Sequence, residues 1–326
     1  MTHFSAPLLR ASLLALLATT SLAQAQEFPT KPVRIVTPFP AGSGPEVALR
    51  LVADKLGKRW GQPVIVDNRP GASGFIAIEA VKRAAPDGHD LLQMDNAQMA
   101  AQPFLFKKLP YDLLRDFEPV TPILRNYFFV TVPVGSSFKT MGDLVASAKA
   151  APDKVNYGSW FIGSPGHIGA AMLESATSTR MTHVPYKEMS QLYVAVGNKE
   201  VDWAFGSAAS AGAMQRAGRT LYLAVAAPTR VAGFADVPTV AESGGPAGFE
   251  LSAWTALLAP KGTPKAVVEK IQKDVAAVLA EPDVKDKYAT MYYEPFSLNS
   301  AQFLQQLRTD SQRYGETIKR LNISLD

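Results

Sequence analysis

The tightest constraint on this chain is a recurring order: a short apolar strand, a loop rich in glycine and proline, then an amphipathic helix. Val33-Arg34-Ile35-Val36-Thr37 reads as a strand and residues 38–44 as a loop. Pro45 and Glu46 then open a helix, since proline suits the first turn and an acid there complements the helix dipole. Ala48, Leu51, Val52 and Leu56 give that helix one apolar stripe, and Gly57 and Gly61 end it. The order repeats through a strand at 64–66, a Gly-rich turn at 68–74, a helix stopping at Pro86-Asp87-Gly88 and a strand at 91–94. It restarts after residues 127–132, where Thr140-Met141-Gly142-Asp143 has the form of a capping box. Strands at 155–159, 183–186, 201–205 and 221–225 follow. Residues 236–248 read as a connection, 254–259 as a strand, and two long helices start near Pro264 and Ala301. Short strands alternating with helices predict βαβ units and mostly parallel sheets. A chain of 326 residues exceeds the size at which one core usually splits, so two α/β lobes with a cleft between them are expected.

The N-terminus has the form of a secretory leader. Arg10 precedes the apolar run 13–18, and Ala23-Gln24-Ala25 supplies a small-residue cut site, so cleavage after Ala25 and a periplasmic mature protein are expected. The run is far shorter than the roughly 20 residues of a membrane span. The chain contains no cysteine, which excludes disulfides, thiolate metal sites and a lipid anchor on cysteine. Its net formal charge of +4 is scattered rather than striped, which argues against a nucleic-acid partner.

The two loops at 40–46 and 159–167 each leave a strand end and enter a helix, where ligands of open α/β sheets sit. Unpaired N–H groups of a first helical turn suit a carboxylate. Four charge-assisted hydrogen bonds would supply roughly 6–12 kcal/mol gross, against about 8 kcal/mol net for a micromolar complex. The same residues also fit ordinary tight turns, and Ser164 fits a simple helix cap. The histidines at 3, 89, 167 and 183 have no helical i, i+3 or i+4 partner among themselves, so no metal or other cofactor is expected. Gly163-Ser164-Pro165-Gly166 is one place short of a nucleophile elbow, so no catalytic residue is expected either.

The order of short motifs resembles the Bug family, the solute-binding receptors of tripartite tricarboxylate transporters. Lys31-Pro32-Val33-Arg34-Ile35-Val36, Pro38-Phe39-Pro40, Gly61-Gln62-Pro63-Val64 and Asn68-Arg69-Pro70-Gly71-Ala72 carry it in the first third. Pro86-Asp87-Gly88, Lys108-Leu109-Pro110-Tyr111-Asp112, Gly163-Ser164, His183-Val184-Pro185-Tyr186-Lys187 and Gly262-Thr263-Pro264 continue it. The resemblance implies a two-lobed α/β periplasmic binding protein of the Venus-flytrap kind, each lobe a mostly parallel or mixed sheet flanked by helices. It implies a monomer, with residues 27–128 plus 248–326 as one lobe and 129–247 as the other. It also implies a small carboxylate as ligand, a membrane permease as partner and no catalysis. Phe39, Pro40, Ala41, Gly42 and Ser43 belong to the first grip on ligand and Ser159, Gly163 and Ser164 to the second, with Glu46 and His167 structuring the loops.

Departures from the family pattern bear on specificity. Trp160, Phe161 and Ile162 stand where small residues are usual, so Trp160 and Phe161 either wall the site for an aromatic or bulky acid or pack into the lobe. Gly206-Ser207 replaces an acid that follows phenylalanine in the family, which places both at the ligand and argues against an amino acid. A sensory protein presenting its ligand to a membrane kinase is the alternative of another class, and an enzyme the third.

Overall fold

The computed structural model describes residues 28–160 and 162–325; the expected leader and Phe161 lie outside the described residues. Strands β1 (Val33–Thr37), β2 (Val64–Asn68) and β3 (Asp90–Asp95) frame helices α1 (Gly44–Trp60) and α2 (Phe75–Lys82). Strands β4 (Phe117–Tyr127) and β5 (Phe129–Pro133) follow, separated by Phe128 alone. Then come α3 (Met141–Ala150), β6 (Asn156–Ser159), α4 (Pro165–Thr177), β7 (Thr182–Pro185), α5 (Met189–Gly197), β8 (Trp203–Gly206), α6 (Ala208–Arg216) and β9 (Thr220–Val225). The chain closes with β10 (Ser252–Pro260), α7 (Lys265–Ala280), α8 (Pro282–Thr290), β11 (Glu294–Pro295) and α9 (Ser300–Leu321).

Two sheets result. One has six strands in the order β11-β4-β10-β3-β1-β2, the other five in the order β7-β6-β8-β5-β9. Pairs β1–β2, β1–β3, β6–β7 and β6–β8 are parallel, whereas β10 runs antiparallel to both β3 and β4, and β5 to both β8 and β9. The sheets are therefore mixed rather than mostly parallel. The cause is the return of the chain: β10 re-enters the first sheet between β3 and β4, and strand periodicity carries no record of direction.

The sequence reading has no strand at 117–126, because Pro119 and Pro122 cannot donate to a ladder. The structure keeps both prolines in β4 by shifting register against β10 between Thr255/Ala256 and between Leu257/Leu258. Helix α1 runs through Gly57 and stops at Gly61, whose φ of 63° supplies the left-handed cap. Helix α2 ends at Lys82, short of Pro86. The Thr140–Asp143 capping box forms as expected.

Residues 127–129 and 225–252 carry the chain between the sheets, and these crossings are bonded to each other. Phe128 N–H donates to Leu251 O, Ala226 N–H to Phe128 O, and Leu251 N–H to Ala226 O, at 3.1, 2.8 and 3.0 Å. Helix α9 also spans both halves, with Tyr314 and Ile318 in the first core and Arg320 donating to the carbonyl of Ala171 on α4. No helix among the described residues is long and apolar enough to cross a membrane.

Candidate functional site

The carboxyl ends of β1 and β6 each deliver the chain into a turn of the same construction. In Gly42-Ser43-Gly44-Pro45-Glu46, Gly42 has φ 80° and its N–H donates to Glu46 Oε2 at 3.0 Å. In Gly163-Ser164-Pro165-Gly166-His167, Gly163 has φ 84° and its N–H donates to His167 Nδ1 at 3.0 Å. Ser43 and Ser164 are the N-cap residues of α1 and α4, with nearly identical backbone angles (φ −71°, ψ 153° and φ −65°, ψ 157°). A left-handed glycine reverses the chain, proline starts the helix, and the fifth side chain ties the glycine amide back. The correspondence escapes a repeat search because proline and glycine exchange places and the fifth residue differs.

Each turn has a second glycine covered by an aromatic ring. A Cβ on Gly44 would lie 2.3 Å from the hydroxyl of Tyr293, and one on Gly166 would lie 2.7 Å from the Trp160 indole. Trp160 is thereby committed to the core of the second half, where it also stacks on Phe128 with centroids 5.9 Å apart. It packs into the lobe, the second of the two roles open to it from sequence. Tyr293, from the loop after α8, has no counterpart in the sequence reading, because nothing local links it to a turn 249 residues earlier.

The fifth residues are held by different chemistry. Glu46 is buried and accepts from Gly42, from Arg50 Nε and from Asn68 Nδ2. Burial alone would raise its pKa, but the Gly42 amide, Arg50 and Asn68 outweigh that and hold it below the usual carboxylate range. His167 is buried and stacks on His183 with centroids 4.0 Å apart and planes 7° apart. Its Nδ1 accepts from Gly163, which fixes the neutral Nε2–H tautomer. His183 shares a 2.7 Å hydrogen bond with the Ser159 hydroxyl. Burial, then the neighbouring His167, push His183 down to about 4, and burial lowers His167 as well.

These ties change which groups remain for a ligand. Gly42 and Gly163 spend their amides on Glu46 and His167, and Ser43 turns both N–H and hydroxyl onto the Pro40 carbonyl. The Ser164 hydroxyl accepts from His167 N–H, and the Ser207 hydroxyl accepts from Ser210 N–H. Among the described residues, the amides of Ala41, Gly44, Ser164 and Gly166 have no partner within the chain.

Phe39 and Pro40 face Gly163 and Pro165 across a cavity of about 420 Å³, the cleft between the halves. Ala41 and Gly42, next in the turn, are exposed. Of the residues expected at the site, the structure does not bring Ala41, Gly42, Ser43, Ser159, Trp160, Ser164, Gly206 or Ser207 to the walls of that cavity. Gly206 is buried beneath the Tyr193 hydroxyl and Ala211, and Ala208, next to Ser207, opens on a separate small cavity of about 50 Å³ with Tyr127, Phe129 and Tyr293. The cleft's remaining wall was not anticipated. Gln98 and Gln102 both donate to Ser73 O, at 3.4 and 2.9 Å, joining the 70–74 turn to the helical turn after β3. Asp95 lines the cleft beside them, and burial pushes its carboxyl up to about 6.

Residues 48–323 match the family described as the tripartite tricarboxylate transporter family receptor. A protein from the tcbD-tcbE intergenic region of Pseudomonas sp. strain P51 is 33% identical over 274 residues, covering 83% of this chain and 81% of that protein. Rpa4515 of R. palustris, solved with adipate, superposes with a TM-score of 0.74 at 27% identity, covering 92% of this chain and all of the other. MatC of Rhodopseudomonas palustris, solved with bound malate, gives a TM-score of 0.69 at 27% identity, covering 89% of this chain and all of the other.

Proposed function

This chain belongs to the tripartite tricarboxylate transporter receptor family, whose members are periplasmic solute-binding receptors rather than enzymes, and from that premise we propose which solute it takes and how. It captures a small carboxylate in the cleft between the 38–44 and 163–166 turns and delivers it to a membrane permease of the tripartite tricarboxylate type. The observation that carries this reading is the meeting of Phe39 and Pro40 with Gly163 and Pro165 across one cavity. Relatives solved with adipate and malate support the ligand class.

The unpaired amides of Ala41, Gly44, Ser164 and Gly166 are the donors, together with the positive ends of α1 and α4. At about 1.5–3 kcal/mol each they match what a micromolar complex requires once ordering costs are met. The halves divide as residues 27–128 plus 248–326 and 129–247, and they close about the crossings at Phe128, Ala226 and Leu251. Ligand on one half shifts the population towards closure, because only the closed form lets both turns reach it.

Isothermal titration of the purified chain with adipate, malate and benzoate, against neutral hexanediol, tests this. Micromolar binding of at least one acid, no binding of the diol and a smaller radius of gyration on binding are expected. Equal binding of acid and diol, or none of the acids, would remove the reading. Receptor-dependent uptake by a reconstituted permease tests delivery.

A further inference from the structure

A carboxylate in the wall of a carboxylate-binding cleft needs a reason. Asp95 stands at the end of β3, where Oδ1 accepts from the Gln98 amide at 2.7 Å and the Asp95 amide donates to Gln98 Oε1 at 3.0 Å. The nearby Ala97 amide also favours the ionised carboxylate. These bonds cap the helical turn Ala97–Ala101 and account for part of the carboxylate's accepting capacity. No lysine or arginine among the described residues is paired with it. The titratable groups that face it are Tyr111, from the loop after that turn, and Tyr314 of α9, and neither is a cation. Across the cleft stand Gly163, Pro165 and Leu325, which offer no charged side chain. Asp95 thus lines the cavity with no counter-charge paired to it among the described residues.

We propose that Asp95 is a specificity-determining residue, and that it selects acids carrying a hydrogen-bond donor, a hydroxyl or an ammonium, beside the carboxylate. The inference rests on the carboxylate-receptor reading above and names a feature of its ligand. The two turns hold the carboxylate, and the donor group turns to Asp95 on the wall between them. A plain diacid presents a second anion there and is repelled. A site built to satisfy a buried acceptor rejects analogues lacking the donor, because that acceptor then stays unpaired. The absence of an acid after Phe205, which argued against an amino-acid ligand, is offset by an acid on the opposite half.

The test compares succinate with malate and aspartate, probes that differ in one substituent, on the wild type and on Asp95→Asn. Asparagine keeps an oxygen to accept from the Gln98 amide, so the fold is retained while the charge is lost. At pH 7.5 the better of malate and aspartate binds the wild type at least about tenfold tighter than succinate, or about 1.4 kcal/mol. In Asp95→Asn the ratio falls to within about threefold. Lowering the pH through 6 narrows the wild-type ratio and leaves the variant's ratio less affected, since ligand ionisation is common to both proteins. An unchanged ratio in Asp95→Asn, or succinate binding as tightly as the others to the wild type, overturns this inference alone. Failure of all three acids to bind removes the carboxylate reading with it.

Discussion

The turn at 42–46 and the turn at 163–167 solve one geometric problem with opposite electrostatics. Both use a left-handed glycine, a serine N-cap and a side chain four residues on that recaptures the glycine amide. The first is fastened by an ionised carboxylate that needs Arg50 and Asn68 to remain charged in a buried place. The second is fastened by a neutral imidazole, kept neutral by burial. Turn shape is therefore independent of the charge of the clasp. The difference decides how each half responds to acid, and which half tolerates loss of its clasp.

The largest difference is expected on removing the clasps. Glu46→Ala strands the Gly42 amide and Arg50 around a hole, and unfolding by denaturant should show a loss of about 3–4 kcal/mol. His167→Ala removes an uncharged acceptor and some packing, and about 2 kcal/mol is expected. Equal losses would show that the charge of the clasp does not matter.

Acid sharpens the contrast. The folded pKa of His183 is depressed to about 4, below an unfolded value near 6.5. Between those limits the unfolded chain binds more protons, so this contribution is intact above pH 6.5 and is lost as pH falls towards 4. Over that window the wild type should lose about 2–3 kcal/mol more than His183→Gln, which cannot titrate. Glu46, with its pKa lowered, keeps its contribution until the pH falls below the ordinary carboxylate range. Parallel stability curves for wild type and His183→Gln would show that the fold does not hold His183 neutral.

Much of this arrangement was legible in the chain itself, and the reason is locality. Gly61 as a helix stop, the Thr140–Asp143 capping box and the strand–turn–helix order depend on residues within a few positions of one another. The clasping residues Glu46 and His167 lie four places from their glycines, inside the reach of motif reading. Packing of Trp160 into the lobe was open from the sequence but its cover over Gly166 was not, because that glycine matters only for the side chain it lacks. Tyr293 and Asp95 were out of reach. Each joins the site through the sheet order, which sets the β3 end and the loop after α8 beside the first turn. Strand β4 was hidden by Pro119 and Pro122, whose missing donors are absorbed by register shifts that leave no mark in hydropathy.

The covered glycines give the next contrast. Gly166→Ala drives a methyl into the Trp160 indole, held by Phe128 in a packed core, and about 2 kcal/mol of destabilisation is expected. Gly44→Ala meets a hydroxyl at the tip of Tyr293, so Tyr293→Phe should restore part of the loss in the double variant. No rescue would mean that the ring itself, and not its hydroxyl, closes over α1.

The smallest effect tests the likeness rather than the difference. Gly42 at φ 80° has no atom within 4 Å of an added Cβ, and Gly163 at φ 84° has only ordinary contacts at 3.7–3.8 Å with Ile323, Leu105 and Leu325. Space is therefore no obstacle at either position. Alanine at both should cost the intrinsic strain of a left-handed L-residue, about 1–2 kcal/mol, and nearly the same at each. Chemical denaturation of Gly42→Ala and Gly163→Ala measures it directly. A difference above about 1 kcal/mol would show that the charged and neutral clasps constrain their glycines unequally, so that the two turns share a shape without sharing its energetics.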